Sequence, residues 1–160
     1  MSPSHPARTP SESVCEMAEI VLPEDTNPRG NIFGGRVLAL IDKCAAIVAM
    51  RHARTRVITA SLDSVDFRNP VRLGEVLVLR GRVNAAFGSS MEVEVEVHAE
   101  NPLTGSQTLT TTAFVTMVAT GPDGRPTPTP SLTVTTEEER RRSEGAGERR
   151  RQRLARRGGR

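Results

Sequence analysis

Gly34-Gly-Arg-Val-Leu-Ala-Leu-Ile-Asp-Lys-Cys-Ala-Ala-Ile-Val-Ala-Met-Arg-His52 is the stretch on which the fold turns. Val37, Leu40, Ile41, Cys44, Ile47 and Val48 recur at helical spacing, and Arg51-His52 place cations at the negative end of the macrodipole. The pattern is apolar almost all round. A helix with so little polar surface is expected to be buried, which requires a sheet large enough to curl around it.

The rest of the chain supplies that sheet. Met91, Val93, Val95 and Val97 alternate with Glu92, Glu94, Glu96 and His98, so apolar side chains take one strand face and carboxylates the other. Similar runs occur at Val14 to Leu22, Arg56 to Phe67, Glu75 to Ala86 and Gln107 to Thr120. They are punctuated by Asn69-Pro70, Gly88-Ser89-Ser90 and Asn101-Pro102 with Gly105. Strand, helix, then four strands is an α+β order.

Outside this domain, placed at residues 12–120, the composition changes. Residues 1–11 hold three prolines and no apolar run, and are expected to be disordered. Residues 121–136 read as a proline-spaced, extended linker. Residues 137–160 hold ten Arg and five Glu. Thr135 or Thr136 with Glu138 or Glu139 fits a capping box, so a short helix is expected before Gly145 and Gly147 interrupt it and the tail continues as a solvated segment.

Composition limits the functions available to these 160 residues. Aromatics make up 2%, all phenylalanine, so stacking platforms for bases are lacking and nucleic-acid partners are not expected. The longest apolar stretch, Val37 to Met50, is broken by Asp42 and Lys43 and too short to span a bilayer, and the first 20 residues carry no signal-peptide apolar region. A cytoplasmic protein without membrane partners is the expectation. Cys15 and Cys44 lack a CxxC spacing or nearby histidines, which points to neither a disulfide framework nor a metal site.

Chemistry concentrates where the first strand hands over to the helix. Asp25-Thr-Asn-Pro-Arg-Gly-Asn-Ile-Phe-Gly-Gly35 is a run of turn formers leading into a helix N-terminus, whose first amides lack intrahelical acceptors and can polarise a carbonyl. Asp42 lies mid-helix, followed by Ala45, Ala46 and Ala49, which leave space beside it. A buried carboxylate there is expensive, and is either a structural group bonded to its neighbours or a tuned general base. Gly35 and Asp42 are seven residues apart, roughly 10 Å along the axis. If both act on one carbonyl, two antiparallel helices related by a two-fold axis must bring them together, so the site requires a dimer.

Those segments, with Leu40-Ile-Asp-Lys-Cys-Ala-Ala46, Ile58-Thr-Ala-Ser61, Val65-Asp-Phe67 and Gly88-Ser-Ser-Met91, resemble the hotdog-fold acyl-CoA thioesterases of the cytosolic acyl-CoA hydrolase type. The resemblance runs from Val14 to Thr120. It implies a curled antiparallel five-stranded sheet around one long helix, hydrolysis of acyl-CoA to CoA and a carboxylic acid, no metal or cofactor, and a homo-oligomer built as a trimer of dimers. By resemblance, Asn31 of one subunit faces Asp42 of another, and Gly35 contacts the thioester carbonyl. Asp42 then serves as general base, or as a nucleophile forming an anhydride. Asn31 orients water and the Gly35 amide stabilises the oxyanion. Gly34 shares the helix start, Gly88, Ser89 and Ser90 fall on a CoA-facing loop, and Phe67 on the acyl or pantetheine channel.

Two other readings remain. The first is a non-catalytic acyl-CoA-binding or regulatory module on the same fold. The second is a nucleic-acid binder acting through its arginine tail. His52 reads as a helix-end cap, Cys44 as a small buried hydrophobe, and Asp63 and Asp66 as residues on opposite strand faces.

Overall fold

In the computed structural model, which describes residues 5–159, the chain runs β1 (Cys15–Ile20), α1 (Gly34–Ala53), β2 (Arg56–Leu62), β3 (Val76–Phe87), β4 (Ser90–Glu100), β5 (Gln107–Thr120) and α2 (Glu137–Gly158). The strands form one antiparallel sheet in the order β1-β3-β4-β5-β2, with β1 and β2 at its edges. The sheet curls around α1. This is the hotdog arrangement expected from the sequence.

Alternation along β4 drives the packing: Met91, Val93, Val95 and Val97 are fully buried, as are Leu77 and Leu79 of β3 and Ala113, Val115 and Ala119 of β5. They meet Leu40, Ile41, Cys44, Ala45, Val48 and Ala49 of α1 in one continuous core. Burying each Val or Leu contributes roughly 1.5–3 kcal/mol, so the core rests on aliphatic area with no help from aromatics. Gly81 marks the closest approach of helix to sheet. A Cβ there would fall 2.9 Å from both Cys44 Sγ and Val48 Cγ2.

Strand β2 ends earlier than the sequence implies. Its pairing with β5 shifts between Thr59 and Ser61, so Ala60 is an extra residue. Thr59 stands opposite the core residue Met117, whereas Ser61 stands opposite Thr116, whose β4 partner is Glu92. Thr59 faces α1 by regular alternation with Val57, and the bulge turns Ser61, which would otherwise follow it, toward the outer sheet face. Beyond Leu62 the chain still runs beside β5, with Asp63 N donating to Phe114 O at 3.0 Å and Arg68 N to Thr110 O at 3.0 Å.

Both flanks of the domain are more ordered than expected. Residues 1–4 and 160 lie outside the described residues, but within the 1–11 segment Arg8 N donates to Ser131 O at 3.0 Å and Arg8 O accepts from Thr133 N at 2.8 Å. Pro10–Glu12 then form a 3-10 turn with Pro10 buried. The disorder expectation fails there because a distant strap supplies the pairing that local sequence lacks. Nor is the strap, residues 121–136, a free linker. Thr127 N bonds Ala119 O at 2.9 Å, Thr129 N bonds Gly88 O at 2.8 Å, and Pro130 O meets His52 Nε2 at 2.8 Å. His52 is fully buried and clasps this strap instead of capping α1.

The tail differs most. α2 is continuous through Gly145 and Gly147. Thr136 and Glu139 form the capping box, with Glu139 N donating to Thr136 Oγ1 at 3.1 Å and Thr136 N to Glu139 Oε2 at 3.3 Å. The helix lies across the carboxylate face of the sheet, with Ala146 fully buried. Arg149 donates to Glu92 through Nη2 at 2.7 Å and Nε at 3.0 Å, Arg142 pairs with Glu94 at 3.2 Å, and Arg153 with Asp63 at 3.6 Å. These contacts offset the cost of two glycines, about 1 kcal/mol each in a helix interior. Among the described residues no helix is long and apolar enough to cross a membrane.

Candidate active site

Asp25 to Phe33 form a tight loop closed on itself. Asn27 Oδ1 accepts from Arg29 N at 3.0 Å and Asn31 N at 3.2 Å, while Asn27 N donates to Asn31 O at 2.8 Å. Gly30, at φ 78°, occupies the left-handed turn position these bonds require. Phe33 N then donates to Asp25 O at 2.9 Å, seating the loop against the start of α1. Arg36 reinforces the seat by pairing with Asp25 at 3.2 Å and Glu19 of β1 at 3.0 Å.

Arg36 N and Val37 N turn back to Phe33 O at 3.0 and 3.3 Å, but among the described residues the Gly34 and Gly35 amides have no acceptor. Gly35 faces open space. Gly34 does not: a Cβ there would fall 3.3 Å from Phe67 Cε2, so the Phe67 ring lies against the helix start. The structure thus brings Phe67 to Gly34 at the helix start, next to Gly35, with Asn31 in the loop that leads into it. Gly88, Ser89 and Ser90 form the β3–β4 turn, in which Ser90 Oγ bonds Phe87 O at 3.3 Å and Gly88 O holds the strap through Thr129.

Asp42 is not buried as the sequence implies. It is exposed in the single chain, because the α1 face carrying Ala39, Asp42, Lys43 and Met50 is left uncovered. Its Oδ1 accepts from Thr59 Oγ1 at 2.6 Å, a contact from the helix-facing side of β2 that is absent from the sequence reading. Phe33, Met50, Ile58 and Phe67 are also roughly half exposed, an apolar array typical of an association surface.

Burial pushes the Cys44 thiol up to about 12, with the neighbouring Cys15 adding to the effect, so it is protonated and fills space as a hydrophobe. Burial also lowers His52, which is neutral against Pro130 O. No group of three or more His, Cys, Asp or Glu side chains among the described residues is placed to hold a metal.

Residues 29–106 match the thioesterase superfamily model. An acyl-CoA thioester hydrolase of Bacillus subtilis is 39% identical over 125 residues, covering 75% of this chain and 73% of the relative. The chain belongs to the thioesterase superfamily. A cytosolic acyl coenzyme A thioester hydrolase of rat is 37% identical over 122 residues, 75% of this chain but 32% of that longer protein. A solved apo-hexameric acyl-CoA thioesterase superposes with a TM-score of 0.91 at 47% identity, over 95% of this chain and 97% of that one. The acyl-CoA hydrolase of Staphylococcus aureus, solved with butyryl coenzyme A and coenzyme A, gives 0.89 at 38%, over 95% and 93%. Alanine variants of that hydrolase have been solved at an asparagine, at an aspartate 15 positions later and at a threonine 17 positions after the aspartate.

Proposed function

We propose that this superfamily member is an acyl-CoA thioester hydrolase of the cytoplasm, working without a metal or cofactor, with Asp42 as the general base. The observation that carries the reading is the Thr59–Asp42 hydrogen bond, which fixes one carboxylate oxygen and leaves the other facing open space. The Staphylococcus aureus intervals of 15 and 17 positions recur here between Asn27, Asp42 and Thr59. That favours Asn27 over Asn31 as the water-orienting amide. Asn31 then holds the Asn27 side chain through its backbone amide.

In the reaction, a water on the free oxygen of Asp42 gives its proton to that carboxylate and attacks the thioester carbonyl, while the Gly35 amide donates a hydrogen bond to the developing oxyanion. The C–S bond breaks and coenzyme A leaves with the proton. Gly35 and Asp42 stand too far apart on one helix for this, so the asparagine and Gly35 come from one subunit and Asp42 from another. The uncovered face of α1 and the exposed Ile58 on the edge strand β2 support a dimer closing there. The apo-hexameric neighbour supports assembly of three such dimers.

Release of coenzyme A thiol from a panel of acyl-CoA chain lengths tests the reading. Turnover of at least one member that Asp42→Ala abolishes upholds it. Tight binding without turnover replaces it with the acyl-CoA-binding module.

A further inference from the structure

Two clefts flank the Arg153–Asp63 pair where α2 reaches the end of β2. One, of about 240 Å³, is bounded by Ser64, Phe114 and Arg149, and the other, of about 380 Å³, by Ser61, Leu62 and Arg157. Asp63, Arg153 and Arg156 line both. The local charge is unbalanced. Along α2, Arg140, Arg142, Arg149 and Arg151 each pair with a glutamate. Glu148 is the last acid of the helix, and beyond it Asp63 is the one carboxylate paired with Arg153, while Arg156 and Arg157 have no ion pair among the described residues.

Hydrogen-bonding capacity there is also unspent. Ser61 Oγ, Arg153 Nη1 and Asp63 Oδ2 are buried without a hydrogen-bond partner, and the 3.6 Å between Arg153 and Asp63 is too long for a bond, so the carboxylate offsets one guanidinium charge and leaves those of Arg156 and Arg157. Basic residues in a last helical turn suit the macrodipole, but that leaves a buried hydroxyl and guanidinium nitrogen unsatisfied.

The covalent path from this corner leads to the proposed active site. Asp63 and Ser64 line the clefts, and four residues past Asp63 the Phe67 ring lies on Gly34 at the start of α1. Four extended residues span at most about 14 Å. A substrate with its carbonyl at the Gly35 amide and a flexible arm laid along residues 64–67 would present its far end to the arginines.

We infer that the clefts around Arg153, Arg156 and Arg157 bind the phosphates of the nucleotide end of coenzyme A, with the Ser61 hydroxyl as a further donor. The inference rests on the thioesterase reading. A phosphate monoester carries about −1.5 to −2 charges and three acceptor oxygens, matching the surplus of guanidinium donors.

The test is the double variant Arg156→Ala/Arg157→Ala in the full chain, both residues being exposed and outside the core. KM for butyryl-CoA should rise about tenfold or more with kcat unchanged, the loss expected for charged hydrogen bonds. Turnover of butyryl-pantetheine, which lacks the nucleotide, should not change. Titration of free coenzyme A should show the same loss, and that of dephospho-coenzyme A or inorganic phosphate should separate the monoester from the diphosphate. The control Arg140→Ala/Arg141→Ala removes equal charge from the far end of α2 and should leave KM alone. Equal losses for butyryl-pantetheine, equal losses in the control, or unchanged coenzyme A affinity would each overturn the site. A wild type that binds coenzyme A through these arginines but hydrolyses nothing would sink the enzymatic reading and leave the site standing.

Discussion

Thr59 and Asp42 meet through a 2.6 Å hydrogen bond between an edge strand and the central helix, and the threonine reaches the carboxylate because it shares the helix-facing side of β2 with Val57, two residues before it. The hydroxyl proton is spent on Oδ1, so water is left to Oδ2. Asp42→Ala should lower kcat by at least about a hundredfold, the ordinary worth of a general base, with the oligomer unchanged by size-exclusion chromatography. Thr59→Val should lower kcat less, and Thr59→Ser should recover most of it. Wild-type turnover in Asp42→Ala would falsify the assignment.

Asn27 and Asn31 can be separated by substitution. Asn27→Ala removes both the side-chain amide and two bonds that shape the loop, whereas Asn31→Ala leaves the backbone amide that bonds Asn27. Asn27→Ala should therefore lose more activity than Asn31→Ala in the thiol-release assay. Inactive Asn27→Ala subunits mixed with inactive Asp42→Ala subunits should regain activity, since a mixed dimer holds one intact site. No recovery after verified subunit exchange places the whole site within one chain.

Arg149 is expected to anchor α2. It bonds both oxygens of Glu92, which is 2% exposed and also accepts from Asn84 Nδ2 at 3.0 Å, and it stacks 3.7 Å from the Phe114 ring centre. Removing one partner of a buried ion pair costs about 3–5 kcal/mol, so Arg149→Ala should lower Tm by roughly 6–20 °C. Calorimetry showing a shift under 2 °C, which is about 1 kcal/mol, would mean that α2 is not held by this pair.

Acid should loosen the strap through His52. Burial holds its folded value below the usual histidine range, so the stability it contributes is complete above about 6.5 and is lost progressively as pH falls from there through the lower folded value, because the unfolded chain takes up the proton first. Arg8 opposes the charged form further and Glu12 favours it, which leaves the direction set by burial. Amide exchange at Arg8 and Thr133, which bond across the strap, should speed up below that pH. In His52→Gln this acid dependence should be absent.

How far the sequence reveals the molecule follows from which contacts are local. The alternation of β4 and the apolar rows of α1 are periodic signals, and both elements form where those signals lie. The glutamates of β4 mislead, because a strand's polar face normally meets water. Here Glu92 and Glu94 are covered by arginines more than fifty positions away for the first pair and nearly as far for the second, and the Arg-rich run is the one trace of this in the sequence. Asp42 misleads in the opposite direction. An apolar helix implies a covered carboxylate, but five strands of one chain leave that side of the helix bare. The Thr59 contact joins two elements 17 positions apart, and alternation within Ile58-Thr-Ala-Ser61 does not say which face meets the helix.

Gly81 belongs to β3, on the sheet side of α1, and its lack of a side chain sets how closely that helix seats. With hydrogen in place of a methyl group, α1 settles onto β3 against Cys44 and Val48, two and six residues beyond Asp42 toward its C-terminal end. Gly81→Ala would wedge the helix outward from that pivot and swing its exposed carboxylate off the threonine, so the proposed catalytic alignment is calibrated by the thickness of a single hydrogen atom on the opposite side of the core.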